Sequence, residues 1–171
     1  MALAVRRKQL VVFAVILAAV GGYLLYQWIR VSPEEKIRRV LDNIFAAIGR
    51  ADVDGVMEHV SPDYRGEEVD RETLRRMAER FFESFGPTEV TVRRCNITAE
   101  GYVGVAELGL SIDVARETRW GRRMGRSSWR LSFVRYGKRW YVERIAPVSV
   151  GGYPVESLRS LATNIPSSRG F

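Results

Sequence analysis

The stretch from Ser127 to Pro147, SSWRLSFVRYGKRWYVERIAP, decides how the rest of the chain must fold. It contains two alternating runs joined at Tyr136-Gly137-Lys138, a pattern that predicts an antiparallel hairpin with a glycine in its turn. Apolar side chains share one side of the two arms: Trp129, Leu131, Phe133, Trp140, Val142 and Ala146. The other side is mostly charged or polar, so other parts of the chain must cover the apolar face.

Two further strands are predicted before this hairpin. Residues 89–98 alternate imperfectly, and the change of phase near Arg93-Arg94 predicts a β-bulge. Residues 102–115 form a longer run, and their shared face is apolar: Tyr102, Ala106, Leu108, Leu110, Ile112 and Val114. A basic, glycine-rich loop over residues 120–125 leads back into the hairpin. The sequence therefore predicts an antiparallel meander of about four strands.

Three amphipathic helices precede the strands. Ser32-Pro33-Glu34-Glu35 carries the signals of a helix start, and apolar residues then recur at helical spacing up to Gly49. A shorter helix is predicted from Asp52 or Asp54 to Val60, before Ser61-Pro62. A third starts near Asp70 and ends at Gly86-Pro87. Helices followed by an antiparallel meander indicate an α+β fold of three helices packed on a curved sheet.

Composition and charge restrict the classes of function. Of the 171 residues, 46% are hydrophobic and 27% charged, which is typical of an ordered globular protein. A single cysteine, Cys95, and a single histidine, His59, exclude an internal disulfide and a zinc site of the usual Cys/His kind, and we expect no cofactor. Residues 1–29 carry three basic residues and no acidic one, residues 30–89 carry 10 and 14, and residues 90–171 carry 14 and 6, so the net charges are +3, −4 and +8.

Residues 9–29 contain no charged side chain. As a helix they would span about 31 Å, close to the thickness of the hydrocarbon core of a bilayer. A basic cluster, Arg6-Arg7-Lys8, precedes this run, and Tyr23, Tyr26 and Trp28 lie near its far end, where amphipathic rings favour the membrane interface. A cleaved signal peptide is the competing interpretation, since Ala19 and Gly21 are small. The length of the apolar run favours a retained transmembrane helix.

The charges around this segment predict its orientation and the layout of the chain. Arg6-Arg7-Lys8 favours a cytoplasmic amino terminus, although basic residues also follow the segment closely: Arg30, Lys36, Arg38 and Arg39. The expected layout is a basic arm over 1–8, a transmembrane helix over 9–29, an α+β domain over 32–147 and a partly disordered extension over 148–171. The α+β domain would then lie on the extracytoplasmic side.

Two stretches resemble the nuclear-transport-factor-two-like superfamily, whose members have a cystatin-like cone fold. They are FAAIGRADVDGVMEHVSPDY over residues 45–64 and the strands around Trp129-Arg-Leu-Ser-Phe and Trp140-Tyr-Val. The resemblance covers roughly residues 32–147 and implies that the helices close the concave face of the sheet into a cone. Some members use the cone as a ligand pocket or active site, whereas others use the fold for protein contacts.

An isomerase or dehydratase of this kind needs acid and base groups inside the cone. Glu107, Asp113 and Glu143 fall on the phase opposite the apolar face, so the sheet is not expected to supply a buried carboxylate, and we assign no catalytic residue. A ligand pocket would be lined by His59, Tyr64, Trp129 and Trp140. A lone histidine at a helix end is more often exposed, and aromatic residues on a buried face are more often core.

The basic segment before the hairpin is the second candidate surface. It carries Arg119, Arg122, Arg123 and Arg126, with Trp120 among them. Such a cluster fits an acidic protein partner, another copy of the chain or anionic lipid headgroups, while an extracytoplasmic domain would not normally meet nucleic acid. A solvated loop without a specific role is the simpler alternative.

The sequence as a whole favours a non-catalytic interaction or assembly module anchored in a membrane. In topology, an anchor followed directly by such a domain is similar to the inner-membrane scaffold proteins of type IV secretion. The competing hypothesis is a membrane-tethered ligand binder or enzyme that uses the cone, with His59 and Tyr64 at its mouth.

Overall fold

A computed structural model describes residues 31–66, 69–118, 121–151, 153–155 and 157–158, together with Val20. Apart from Val20, the predicted membrane segment 9–29 lies outside these residues. Among the residues that are described, no helix combines the length and the apolar character needed to cross a bilayer.

Three helices precede the sheet, as predicted: α1 over Pro33–Gly49, α2 over Val53–Met57 and α3 over Arg71–Phe85. Asp52 caps α2 by accepting a hydrogen bond from the Gly55 amide at 2.8 Å, and Asp70 caps α3 by accepting one from the Thr73 amide at 2.7 Å. The hydrogen bonds from Thr73 hold the pKa of Asp70 below its ordinary value. Each of these two helices therefore begins at an aspartate whose side chain accepts a hydrogen bond from a backbone amide of the first turn.

The sheet is antiparallel, with its strands in the order of the chain: β1 over Thr88–Glu100, β2 over Val103–Thr118, β3 over Gly121–Tyr136, β4 over Arg139–Val150 and β5 over Tyr153–Pro154. The fifth strand extends the predicted four-stranded meander beyond residue 147. The predicted loop over 120–125 is mostly strand, because the pairing of β2 with β3 continues to Thr118 and Gly121. Gly125 has a φ of 88° where that register shifts, a conformation that glycine adopts without strain.

Bulges decide which side chains reach the inner face of the sheet. The predicted bulge in β1 is confirmed, because the register shifts between Val92 and Arg94. A second bulge in β4 pairs Ser132 with Arg144 but Phe133 with Val142. This extra residue places Ile145 opposite Leu131, so the assignment of Ala146 to the apolar face is wrong: Ala146 pairs with Arg130.

The main core lies between α1 and the inner face of the sheet. Its buried members are Ile37, Leu41, Ile44, Ala106, Leu108, Leu110, Leu131, Phe133, Trp140 and Val142. Gly104 lets α1 approach the sheet, because a Cβ atom at this position would lie 2.5 Å from Ile37 Cδ1. The apolar face of the β3–β4 hairpin is thus covered by α1.

The segment after α2 covers the edge of β4. Val60 forms a parallel bridge with Val142, in which the Val142 amide donates to the His59 carbonyl at 2.8 Å and the Ser61 amide donates to the Val142 carbonyl at 2.9 Å. Arg71 Nη2 then donates to the Met57 carbonyl at 3.0 Å and ties α3 to α2. These bonds protect part of a strand edge that would otherwise expose unpaired backbone groups.

Candidate functional site

The four residues predicted to line a ligand pocket occupy different parts of the domain. Trp129 is half-buried beside the main core, and its Nε1 donates to Ser127 Oγ at 2.9 Å. Trp140 is buried, and its partner in the sheet is Arg135 of β3. Arg135 follows Trp129 by six residues in the same strand. Six residues of strand correspond to about 20 Å, so the two tryptophans lie at different ends of the inner face. The sequence pattern shows their shared face but not this separation.

Tyr64 and His59 lie at the edge of β4, where a second apolar cluster contains Met57, Val60 and Tyr64. Tyr64 is 2% exposed, and its hydroxyl has no hydrogen-bond partner among the described residues. Burial raises the pKa of Tyr64 above its ordinary value of 10.0, although the backbone of Ile145 and the charge of Arg144 act in the opposite direction. His59 is half-buried and contributes its backbone carbonyl to the bridge with Val142.

Arg135 is an inward-facing charge that the sequence interpretation did not single out. Its guanidinium carbon lies 4.6 Å from the centre of the Tyr102 ring and 5.7 Å from that of Trp140. Among the described residues no carboxylate pairs with it, and both its Nε and Trp140 Nε1 are buried without a hydrogen-bond partner. The signal was present, since Arg135 has the same phase as Phe133. Its contacts with the two rings are cation–π in character.

Three carboxylates of the sheet, those of Glu107, Asp113 and Glu143, lie away from the core. Glu107 lies between Ala106 and Leu108, which are buried, and its Oε1 accepts a hydrogen bond from Arg130 Nη2 at 2.9 Å on the outer face. Asp113 is also on the outer face, in register with Arg123, and Glu143 is exposed at the bulge. Within the described part of the chain, no three His, Cys, Asp or Glu side chains come close enough to hold a metal ion.

The basic segment lies at the end of β2 and β3 that is remote from the β3–β4 turn. Arg119 lies outside the described residues, while Arg122 and Arg123 belong to the first part of β3. Arg126 is exposed and in register with Ser111 of β2. Ser127, two residues before Trp129, is buried on the inner face. The strand therefore leaves Arg126 on the outer surface and turns its neighbour towards the core.

A comparison with protein families identifies the domain. A family model described as a SnoaL-like domain matches residues 37–146, from the buried Ile37 of α1 to the middle of β4. The chain belongs to this SnoaL-like family. A search of curated proteins finds no match.

Solved structures show the same fold as this SnoaL-like domain. An NTF2-like protein of unknown function from Pseudomonas putida superposes with a TM-score of 0.57 at 15% identity, covering 73% of this chain and 94% of that one. A protein with a cystatin-like fold from Nostoc punctiforme superposes with a TM-score of 0.55 at 15% identity, covering 66% and 86%.

A larger structure, Bd1075 of Bdellovibrio bacteriovorus, superposes with a TM-score of 0.57 at 7% identity, covering 70% of this chain. The SnoaL-like chain spans only 40% of that protein's length. At these identities the similarity to all three structures establishes the cone fold and not an activity.

Proposed function

We propose that this chain is a single-pass membrane protein whose extracytoplasmic SnoaL-like domain acts as a non-catalytic protein-interaction or assembly module. The observation that carries the proposal is the composition of the inner face, where α1 and the sheet bury apolar side chains against one another. Glu107 meanwhile pairs with Arg130 on the outer face. A SnoaL-like enzyme working by acid–base catalysis would need such a group within reach of a substrate inside the cone.

The membrane location is supported by the uncharged run over residues 9–29 and by the basic cluster before it. A protease added to intact cells tests it, with the same cells permeabilised as the control. An extracytoplasmic domain is degraded in both samples while the anchor stays in the membrane fraction. Protection in intact cells would contradict the orientation, and release of the chain from washed membranes would contradict the anchor.

We place the partner-binding surface at the basic end of β2 and β3. Reversing two charges there, in an Arg122→Glu, Arg123→Glu variant, is expected to reduce partner cross-linking from a photoreactive residue at position 126 about tenfold, because like charges then face an acidic partner. The matched control is Lys36→Glu, Arg38→Glu, which makes the same change of charge on exposed positions of α1. Equal cross-linking in the wild type and the Arg122→Glu, Arg123→Glu variant would contradict this assignment.

A second candidate function, ligand binding in the cone, is favoured by the buried Tyr64 hydroxyl, which has no hydrogen-bond partner in the described part of the chain. A ligand acceptor or donor at this position would satisfy it. In that case the ligand would raise the melting temperature of the wild type, and this increase would be lost in His59→Ala while the fold survived. Loss of such a signal in His59→Ala would overturn the proposed interaction module in favour of a ligand pocket.

Without a ligand, Tyr64→Phe is expected to leave the free energy of unfolding unchanged or to raise it by about 1 kcal/mol, because the variant buries no unpaired hydroxyl. The pKa of Tyr64 is raised in the folded state, so the unfolded chain ionises first as the pH rises. Wild-type stability should therefore fall relative to Tyr64→Phe above pH 10 and not below it. Urea unfolding at several pH values measures this. A clear loss of stability in Tyr64→Phe at neutral pH would show that the hydroxyl is bonded.

A further inference from the structure

The tips of two hairpins meet at one end of the domain and expose large apolar side chains. Tyr102 is 66% exposed and Val103 58% exposed at the β1–β2 turn, and Tyr136 is 45% exposed at the β3–β4 turn. The Arg135 amide donates to the Tyr102 carbonyl at 2.8 Å, which joins the two tips. Residues 100–103 and 135–139, called the tip surface below, therefore form one continuous exposed region.

The start of α1 lies at the same end. Ile37, in the second turn of α1, fills the space above Gly104, where a Cβ atom would lie 2.5 Å from its Cδ1. Gly104 is the second residue of β2 and directly follows Tyr102 of the turn and Val103. Because Ile37 is completely buried, this contact fixes the first turn of α1 beside the tip surface.

The chain before α1 then limits where a membrane can be. The uncharged run ends at residue 29 and α1 begins at Pro33. Four residues reach at most about 14 Å even when fully extended. If residues 9–29 span the bilayer, as proposed above, the amino-terminal end of α1 is held close to the bilayer surface. The tip surface is the part of the sheet beside that end.

The exposed tyrosines of the tip surface fit this position. Tyrosine favours the membrane–water interface, because its apolar ring can contact lipid there while its hydroxyl remains hydrated. The tip surface carries two exposed basic residues, Lys138 and Arg139, against one exposed acid, Glu100. Arg135 points inward, against Tyr102 and Trp140. One acidic group of a neighbouring segment contacts it, since Asp63 Oδ2 accepts from the Tyr136 hydroxyl at 3.4 Å. Glu34 and Glu35 lie in the first turn of α1.

From these observations we infer that the tip surface is a membrane-docking surface, which rests Tyr102, Val103 and Tyr136 on the headgroup region of the bilayer that holds the anchor. The basic end of β2 and β3 then points away from the bilayer. The inference rests on the proposed anchor and adds the orientation of the domain, which places the basic end of β2 and β3 where a protein partner can reach the exposed Arg126.

The opposite end of the sheet supplies a matched control. Tyr153 is 78% exposed and pairs with Val150 at the far end of β4. The 12 residues of β4 correspond to about 40 Å of extended strand between this end and the β3–β4 turn. Tyr153 thus has the same residue type as Tyr102 and a greater exposure. Among the residues that the structure describes, no contact joins its end of the sheet to the start of α1.

The test places one fluorophore on the full chain in vesicles of phosphatidylcholine with about one-third phosphatidylglycerol, a fraction that gives the surface a negative potential. Cys95 is replaced by serine, and the label is attached at Tyr102→Cys or at Tyr153→Cys. Spin-labelled headgroups are expected to quench the label at position 102 several-fold more strongly than the label at 153. Equal quenching at both positions, or stronger quenching at 153, would overturn the docking surface.

Flotation of the same vesicles separates the two proposals. A chain that floats with the lipid and shows no preferential quenching at position 102 retains the anchor and loses the docking surface. A chain that does not float loses both. A second variant, Lys138→Glu, Arg139→Glu, is expected to weaken quenching at 102 by about half in anionic vesicles, because each basic residue near the surface contributes to the attraction. The charge-matched Arg93→Glu, Arg94→Glu chain, changed at exposed positions in the middle of β1, tests whether that loss is specific to the tip surface, and an equal loss would contradict it.

Discussion

Replacing Phe133 by alanine is expected to lower the free energy of unfolding by about 3–5 kcal/mol, because the side chain is removed from the middle of a closely packed core. Phe133 is 1% exposed and pairs with Gly104 on one side and with Val142 on the other. Neither neighbour can refill the space: Gly104 has no side chain, and Val142 is held by the bridge to Val60. Urea unfolding of the full chain in detergent, followed by circular dichroism, measures the change.

The control for this prediction is Tyr153→Ala, which removes an aromatic ring that is 78% exposed. It is expected to change the free energy of unfolding by no more than about 0.5 kcal/mol. A loss below about 1.5 kcal/mol in Phe133→Ala would mean that the site collapses around the missing ring, and the core between α1 and the sheet would then be looser than the burial of Phe133 indicates.

The helices and the order of the strands could be predicted from the sequence because their signals are local. Asp52 and Asp70 cap helices at the predicted places, and Gly86-Pro87 ends the last helix before β1. Leu108 and Leu110 reach the inner face because alternation holds between bulges. Each of these features depends on side chains within a few residues of one another.

The details that sequence patterns missed depend on register. Ala146 lies on the face opposite to the predicted one, because Glu143 is an extra residue in β4 at the bulge. Residues 121–125, predicted as a loop, belong to β3 because the partner strand β2 is long enough to pair with them. The separation of Trp129 from Trp140 is likewise a matter of position along the hairpin, since alternation records the face of a strand and not the distance along it.

The candidate site was predictable only in part for the same reason. The pattern placed the carboxylates of β2 on the outer face, and the pair formed by Glu107 with Arg130 lies there. It did not show that Tyr64 would be buried without a partner, because that depends on the segment after α2 closing over the edge of β4. Hydrophobic periodicity does not predict tertiary contacts of this kind, because they join segments that are distant in the sequence.

Substitutions of Gly104 and Ile37 are expected to be energetically coupled, because the two residues are in contact. Their coupling energy tests whether this contact sets the separation between α1 and the sheet. Gly104→Val should cost about 3 kcal/mol, since the new side chain enters space that Ile37 Cδ1 occupies and the Thr98 carbonyl, 3.3 Å from the Cβ position, blocks the other direction. Ile37→Ala alone should cost about 2–5 kcal/mol, because a fully buried side chain is lost.

The double variant should cost less than the sum of the two by about 1–3 kcal/mol, because valine at position 104 then fills the cavity left at position 37. Urea unfolding of the four chains of this cycle measures the difference. Additive costs would mean that α1 shifts away from the sheet in either single variant, so that Gly104 does not set their separation. A double-variant cost below that sum would also support the position of α1 beside the tip surface, since the same contact holds the start of α1 beside Tyr102 and Val103.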